Sequence, residues 1–358
     1  MRRAFYYCAA VVLLVGCAPK ILQHPQINNT VLVADHSIIK EFNPKDYEDA
    51  LEQFRANCGN AKAQMLYGSL CQRAMDVTDG ADFFKTFFDT YRIIDDASLL
   101  TGYYEPLLHG SRVRHGSYQY PLYTPPKDLL HVSLGDAYDS LSQMRLRGRL
   151  ENGSVVAYYD RAYINKYGLD APIICWVDDR LERFVLEVQG SGRVILDTNE
   201  TIHVGYADQN GHQYTSIGKS LVAKGAIDVE SISLQSIQTW YETHPEEAEA
   251  LLNENRAFVF FTEQNTTATG SMGVALRAMH SVAVDPKYIP YGAMLALRSD
   301  HYKLLAFAED TGGAIRGASR ADLFMGFGKE AAQKAGSLKE DLKLWIWLPK
   351  GSVGTITP

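Results

Sequence analysis

From residue 281 onward the apolar residues come in short runs, at 281–285, 294–297, 304–308 and 342–348, separated by Gly/Pro turns. Short apolar runs bounded by turns read as strands, and the last run alternates Leu and Trp with Lys and Ile. Several such strands at close spacing predict a small barrel, because a parallel α/β sheet needs a helix between successive strands. Ala314-Ile315 is a further candidate strand. Residues 328–335 read as a helix stopped by Gly336.

Upstream the pattern changes. Residues 47–94 look helical, with Ala50, Leu51 and Phe54, then Phe83, Phe84, Phe87 and Phe88, at three- and four-residue steps. Residues 99–107 look like a strand. Residues 112–260 mix short strands and helices. Within them residues 183–189 alternate and stop at Gly190-Ser191-Gly192, which predicts a strand entering a tight turn. Helices are expected at 216–224 and 234–255, and a strand at 257–261.

The first residues are a processing segment. Arg2 and Arg3 precede an apolar run to Val15 that is too short for a bilayer, which needs about 20 apolar residues. The run ends in Leu14-Val15-Gly16-Cys17, which resembles a bacterial lipobox, so Cys17 is the expected lipid-bearing residue. Two or more acyl chains hold a protein to a membrane stably where one does not. An ordinary cleaved signal containing a cysteine is the alternative. Ala18 is not aspartate, and by resemblance to sorted lipoproteins this implies the outer membrane, with the chain facing the periplasm. Residues 1–16 are thus a signal peptide, and residues 17–40, polar with Pro19 and Pro25, a tether.

Of the remaining cysteines, Cys58 and Cys71 are available to pair in an oxidising compartment, which leaves Cys175 over. The net charge of −7, with no Lys/Arg cluster, argues against nucleic acid as a partner. No Cys/His spacing reads as a zinc site. Neither a metal nor a cofactor is expected.

Three aspartates stand at strand ends or turns: Asp285 before Pro286, Asp310 in Asp310-Thr311-Gly312, and Asp322 in Arg320-Ala321-Asp322-Leu323-Phe324. Glycosidic cleavage needs a carboxylic acid that keeps its proton near neutrality. Apolar neighbours and nearby carboxylates both raise a carboxyl pKa. Each aspartate also has a structural reading: Asp285 as a turn former, Asp310 in an Asx turn, Asp322 as a helix N-cap. Asp310-Thr311-Gly312 has no second copy, so an aspartic protease dyad is not supported. A P-loop needs glycine where Leu323 stands and Ser/Thr where Glu330 stands. Gln189-Gly190-Ser191-Gly192 lacks nucleophile-elbow spacing. It is either a tight turn or a turn that offers polar groups to a sugar. Tyr103-Tyr104 and Tyr158-Tyr159 are candidates for lining a glycan groove, although only one of each pair faces a given side of a strand.

Several segments taken together resemble the membrane-bound lytic murein transglycosylase A family. They are Thr101-Gly102-Tyr103-Tyr104-Glu105-Pro106, Gln189-Gly190-Ser191-Gly192, Val204-Gly205-Tyr206-Ala207-Asp208-Gln209-Asn210-Gly211 and Ser271-Met272-Gly273-Val274. They continue with Val284-Asp285-Pro286, Ile289-Pro290, Asp310-Thr311-Gly312-Gly313-Ala314-Ile315-Arg316-Gly317 and Arg320-Ala321-Asp322-Leu323-Phe324. Asp208 stands where the family more often has glycine. The resemblance implies a mainly β (α+β) chain. A double-psi β-barrel with helices would be built from both ends, residues 41–111 and 262–358. A β-rich substrate-binding domain, residues 112–261, would be inserted, with a groove for the glycan between the two.

Carried over by motif, Asp322 is the catalytic aspartate, with Asp285 and Asp310 as flanking partners. Gln189 and Ser191 lie near the substrate, and Thr101 and Tyr104 count with them as candidate substrate-binding residues. The implied reaction cleaves the MurNAc-GlcNAc β-1,4 bond of peptidoglycan without water. It leaves 1,6-anhydro-MurNAc ends, using a single Asp as acid/base. The implied partners are peptidoglycan glycan strands, outer-membrane lipid through the Cys17 acyl chains, and cell-wall enzyme complexes. Two other classes stay open: a hydrolase of the same bond, in which Asp310 or Asp285 activates water, and a non-catalytic glycan-binding lipoprotein.

Overall fold

The computed structural model describes residues 31–352, apart from residues 96, 142, 143, 145, 266 and 267. The signal peptide, Cys17 and the first part of the tether lie outside the described residues. The tether does not extend to residue 40. Val31–Ala34 is a strand paired antiparallel with Phe88–Ile94, and Trp345 Nε1 donates to Asp35 Oδ2 at 2.9 Å just beyond it. This segment covers the edge that Phe88–Ile94 would otherwise leave unpaired.

The stretch expected to be helical from 47 to 94 is four short helices followed by a strand. Pro44–Asn57 begins at a capping box made by Asn43 and Asp46, with proline in the first turn. It buries Tyr47, Ala50, Leu51 and Phe54, one stripe at helical spacing. Ala61–Tyr67, Ser69–Met75 and Gly80–Phe87 follow. Phe88 then turns extended and opens the Phe88–Ile94 strand, so the phenylalanine periodicity crosses a helix end. Cys58 and Cys71 are joined in a disulfide, and Cys175 is a buried free thiol.

The main sheet has nine strands. In spatial order they are Val31–Ala34, Phe88–Ile94, Lys343–Pro349, Met294–Arg298, Lys303–Asp310, Ser281–Val284, Arg320–Phe327, Leu99–Glu105 and Lys339–Glu340. Two neighbouring pairs are parallel, Ser281–Val284 with Lys303–Asp310 and Arg320–Phe327 with Leu99–Glu105. Among the described residues no pairing joins the two outer strands. The architecture is mixed α+β, with the Gly328–Ser337 helix packed on Leu99–Glu105. Gly102 permits that contact, because a Cβ there would sit 2.8 Å from the Ala335 Cα. Gly336 lies inside that helix rather than ending it. Residues 314–315 form a turn, not a strand.

A second sheet has six strands: Val259–Gln264, Thr201–Gln209, Ser191–Leu196, Leu107–Ser111, Ile173–Val177 and Tyr120–Tyr123. Leu107–Ser111 belongs here, so the chain changes sheets at Pro106 rather than at residue 111. It returns after Gln264. A three-stranded sheet lies at Leu130–Val132, Leu146–Glu151 and Ser154–Val156. Asp208 ties it to the second sheet, accepting from Arg147 Nε at 2.8 Å and pairing with His131.

Residues 183–189 are not a strand. They end the Arg180–Gln189 helix, which is N-capped by Asp179 and closed by Gly190 at φ 83°, a left-handed position suited to glycine. The 234–255 stretch is two helices, divided at His244 because Pro245 starts the second.

Candidate active site

Four neighbouring strands bring the chemistry into one row. Asp310 is in register with Ala283, Ala283 with Asp322, and Asp322 with Thr101. Strands lie about 4.8 Å apart, so the Cα atoms of the two aspartates are separated by roughly 10 Å across one intervening strand. The residue between them is Ala283, a small side chain that is itself buried. Asp322 is therefore inside a strand, not at a helix cap.

Tyr103, Ala268, Ala283, Ile315 and Phe324 pack together as an apolar wall around this row. Alternation explains the membership. Thr101 and Tyr103 share a face of Leu99–Glu105, as Asp322 and Phe324 share a face of Arg320–Phe327.

The two half-buried acids are held differently. Asp310 is saturated: Oδ1 accepts Ser271 N–H at 2.9 Å, Ser271 Oγ at 2.8 Å and Thr311 N–H at 2.9 Å. Its Oδ2 accepts the Tyr103 hydroxyl at 3.1 Å. Asp322 Oδ1 accepts the Thr101 hydroxyl, whose oxygen in turn accepts Arg320 Nη2 at 2.8 Å. Among the described residues no donor reaches Asp322 Oδ2. Burial pushes the Asp322 carboxyl above its ordinary pKa. The Thr101 hydroxyl and the Arg320 guanidinium oppose the rise, and the Asp310 charge adds to it. Burial raises Asp310 as well, against the pull of its four donors. Tyr103 is pushed well up by burial and by the charges of Asp310 and Asp322, so it stays a hydroxyl donor.

Asp285 is fully buried and accepts two backbone N–H bonds, from Lys287 at 3.1 Å and from Gly317 at 3.2 Å. Thr311 Oγ also donates to Val284 O at 2.8 Å. This aspartate therefore braces the turn after Ser281–Val284 against the loop that leads into the Asp322 strand. Asp95 does the same from the other side, accepting Ala318 and Ser319 N–H at 3.1 and 3.2 Å.

Of the expected substrate-binding residues, Thr101 touches Asp322. Gln189 lies at the same strand, its Oε1 accepting Tyr104 N–H at 3.1 Å. The Tyr104 side chain leaves the opposite face from Thr101 and joins the core with Leu181, Phe184 and Val185, so the structure does not bring it to Asp322. Ser191 is buried in the second sheet opposite Gly205.

The sequence reading passed over Arg320 and Ser271 as site residues, although both stand in the recognised motifs. It also passed over Glu309, buried on the reverse side of the Asp310 strand. Among the described residues no cluster of His, Cys, Asp and Glu is arranged to hold a metal ion.

Comparison with known proteins adds to this geometry. The family described as the MltA specific insert domain matches residues 99–262, and the one described as the 3D domain matches residues 280–348. Membrane-bound lytic murein transglycosylase A of Escherichia coli is 33% identical over 271 residues, covering 72% of this chain and 67% of that protein. The crystal structure of a membrane-bound lytic murein transglycosylase from Agrobacterium tumefaciens superposes with a TM-score of 0.79 at 26% identity, covering 90% of this chain and 98% of the other. E. coli MltA with bound chitohexaose gives a TM-score of 0.69 at 27% identity, covering 92% and 95%.

Proposed function

The chain belongs to the membrane-bound lytic murein transglycosylase A family, and we propose that within this peptidoglycan-cleaving lyase Asp322 is the single acid/base. The observation that carries the assignment is the asymmetry between the two acids. Asp310 has both oxygens committed to four donors, whereas among the described residues Asp322 has one hydroxyl donor and an oxygen left for substrate. A proton-transfer group needs such an oxygen, and it needs the raised pKa that keeps it protonated at rest.

The proposed reaction runs in two proton transfers. Asp322 gives its proton to the oxygen joining N-acetylmuramic acid to N-acetylglucosamine, and that C1–O bond breaks. Positive charge develops on the muramoyl ring, beside the Asp310 carboxyl, whose four donors favour its ionised form. Asp322, now a base, takes the proton of the same sugar's C6 hydroxyl while the C6 oxygen closes on C1. The product is a 1,6-anhydro ring, and no water is consumed. A tethered nucleophile replaces the second carboxyl group that ordinary glycosidases use. Asp285 positions the loop before Asp322 rather than reacting. Gln189 and Thr101 are the proposed substrate-side residues.

The glycan groove is proposed between the two sheets, in keeping with the chitohexaose bound to the E. coli relative. The two parallel pairings within an otherwise antiparallel sheet support a double-psi barrel for the catalytic unit. Lipid attachment at Cys17 and a periplasmic position on the outer membrane complete the proposal. The Cys58–Cys71 disulfide supports an oxidising compartment. No helix among the described residues is long and apolar enough to cross a membrane.

The test is mass spectrometry of products released from purified murein by the chain lacking its first 17 residues, with Asp322→Asn alongside. Muropeptides one water lighter than hydrolysis products, absent with the variant, are expected. Reducing muramic ends would instead identify a hydrolase. Substantial cleavage by Asp322→Asn would move the acid to Asp310.

A further inference from the structure

Glu309 precedes Asp310 on the Lys303–Asp310 strand, so its side chain leaves the other face of the sheet. It is completely buried. Gln53 Nε2 and Asn57 Nδ2, one turn apart on the Pro44–Asn57 helix, each donate to Oε1 at 2.6 Å. Ser281 Oγ donates to Oε2. The Glu309 main-chain carbonyl accepts Met272 N–H at 2.9 Å. That fixes the loop whose Ser271 holds Asp310 through both its amide and its hydroxyl. Side chain and main chain of one residue therefore fasten both the helical layer and the serine loop that set the position of Asp310.

Among the described residues the groups facing Glu309 carry no positive charge. The helix presents the Gln53 and Asn57 amides, and the neighbouring strand presents the Ser281 hydroxyl. The charge that bears on it is Asp310, on its own strand. Arg277 donates its backbone N–H to Ser281 Oγ at 2.8 Å but sends its guanidinium to Glu52. Asn57 Oδ1, on the same amide that donates to Glu309, is a buried acceptor without a partner. A carboxylate buried without a counter-ion is costly, and such a group keeps its proton instead. Burial pushes the Glu309 pKa up to about 7, against the pull of its three donors.

Building on the proposed reaction, we infer that Glu309 is a positioning residue: a fully buried carboxyl group without a counter-ion that locks the helical layer and the Ser271 loop behind Asp310, and whose ionisation sets a second negative charge there. It touches no substrate. Its pKa is raised on folding, so the stability it contributes falls as pH climbs from the ordinary 4.5 to about 7 and is level beyond.

The experiment compares wild type with Glu309→Gln, which copies the neutral acid, at about pH 5, near the lower edge of that window, and about pH 8.5, beyond its upper edge. Thermal unfolding and kcat/KM on murein are both read. Relative to wild type, the variant should gain several degrees in Tm between the two pH values. Its kcat/KM ratio to wild type should rise severalfold over the same interval, because an ionised Glu309 in the wild type disfavours the Asp310 carboxylate and so weakens the charge beside the muramoyl ring. A Tm gap that titrates with a flat rate ratio makes Glu309 merely structural and overturns the inference, as do two flat readings. Should Glu309→Gln fail to fold, an isotope-edited infrared titration of the wild-type carboxyl decides. A midpoint about 7 that the wild-type kcat/KM profile shares sustains the inference, and a midpoint near 4.5 or a rate profile without that step overturns it. If Asp322→Asn retained cleavage, the reaction assignment would fail while the Tm comparison still reported on Glu309.

Discussion

At the scale of single residues, the Asp322 carboxyl is poised by two opposing influences of known sign. Burial holds its proton on, while the Thr101 hydroxyl and the Arg320 charge favour its release. Thr101→Val keeps the shape and removes the hydroxyl, so the Asp322 pKa should rise further. Since the first proton transfer needs the protonated acid, the high-pH limb of the rate profile should shift to higher pH. The carboxyl also loses its orienting bond. A hydrogen bond to a charged or polarised group contributes on the order of 1.5 kcal/mol, so kcat should fall about tenfold. A pH–rate profile checks both, and a limb that moves to lower pH would contradict the assigned direction. Asp322→Asn removes the transferable proton altogether and should cost at least about a hundredfold, in line with general acid catalysis. Single-turnover kinetics with unchanged glycan binding would separate that loss from misfolding.

At the scale of elements, the site was legible where chemistry and backbone periodicity coincide. Asp322, Asp310 and Thr101 each sit in a distinctive motif, and the register then aligns them. Tyr103 was within reach of strand alternation, since it shares a face with Thr101. Glu309 was not, because its partners Gln53 and Asn57 lie more than 250 residues away in sequence and nothing local signals the burial of a glutamate. The Arg180–Gln189 helix was misread for a related reason. Leu181, Phe184 and Val185 stand at helical spacing, but residues 183–189 taken alone alternate, and nothing local signals that Arg183 and Glu187 are buried beside the apolar residues. The helices around residues 44–87 were legible from their phenylalanines, but the end at Phe87 was not. The Cys58–Cys71 disulfide joins the C-cap of the first of these helices to the third. Its closed loop spans a separation of 13 residues, for which the chain-entropy account gives about 3 kcal/mol. Cys58→Ala with Cys71→Ala should therefore lower Tm by on the order of 5 °C or more. Because this helix carries Gln53 and Asn57, the double variant should also weaken the hold on Asp310. Calorimetry reads the first effect, and murein turnover at a temperature well below Tm reads the second.

At the scale of the whole molecule, the two sheets share a helix rather than a loose linker. Leu181, Phe184 and Val185 pack in the core of the main sheet, while Leu186 of the same helix packs in the core of the second sheet with Leu108, Val194 and Val204. Arg193, on the second sheet, also donates to Glu105 at the end of the Thr101 strand at 2.8 Å. Melting either core exposes one side of the helix and removes the support for its other side. The chain should therefore unfold in one cooperative transition, although its length alone would suggest two units. Phe184→Ala removes a buried aromatic from the first core and should cost about 3–5 kcal/mol, and Leu186→Ala in the second about 2–5 kcal/mol. Each should move the same single calorimetric peak to lower temperature, with calorimetric and van't Hoff enthalpies remaining equal. If the cores were independent, each substitution would split the peak and displace only its own half. A single peak would mean that the two cores are coupled through the shared helix, so that neither the catalytic row nor the proposed glycan-binding sheet melts without the other.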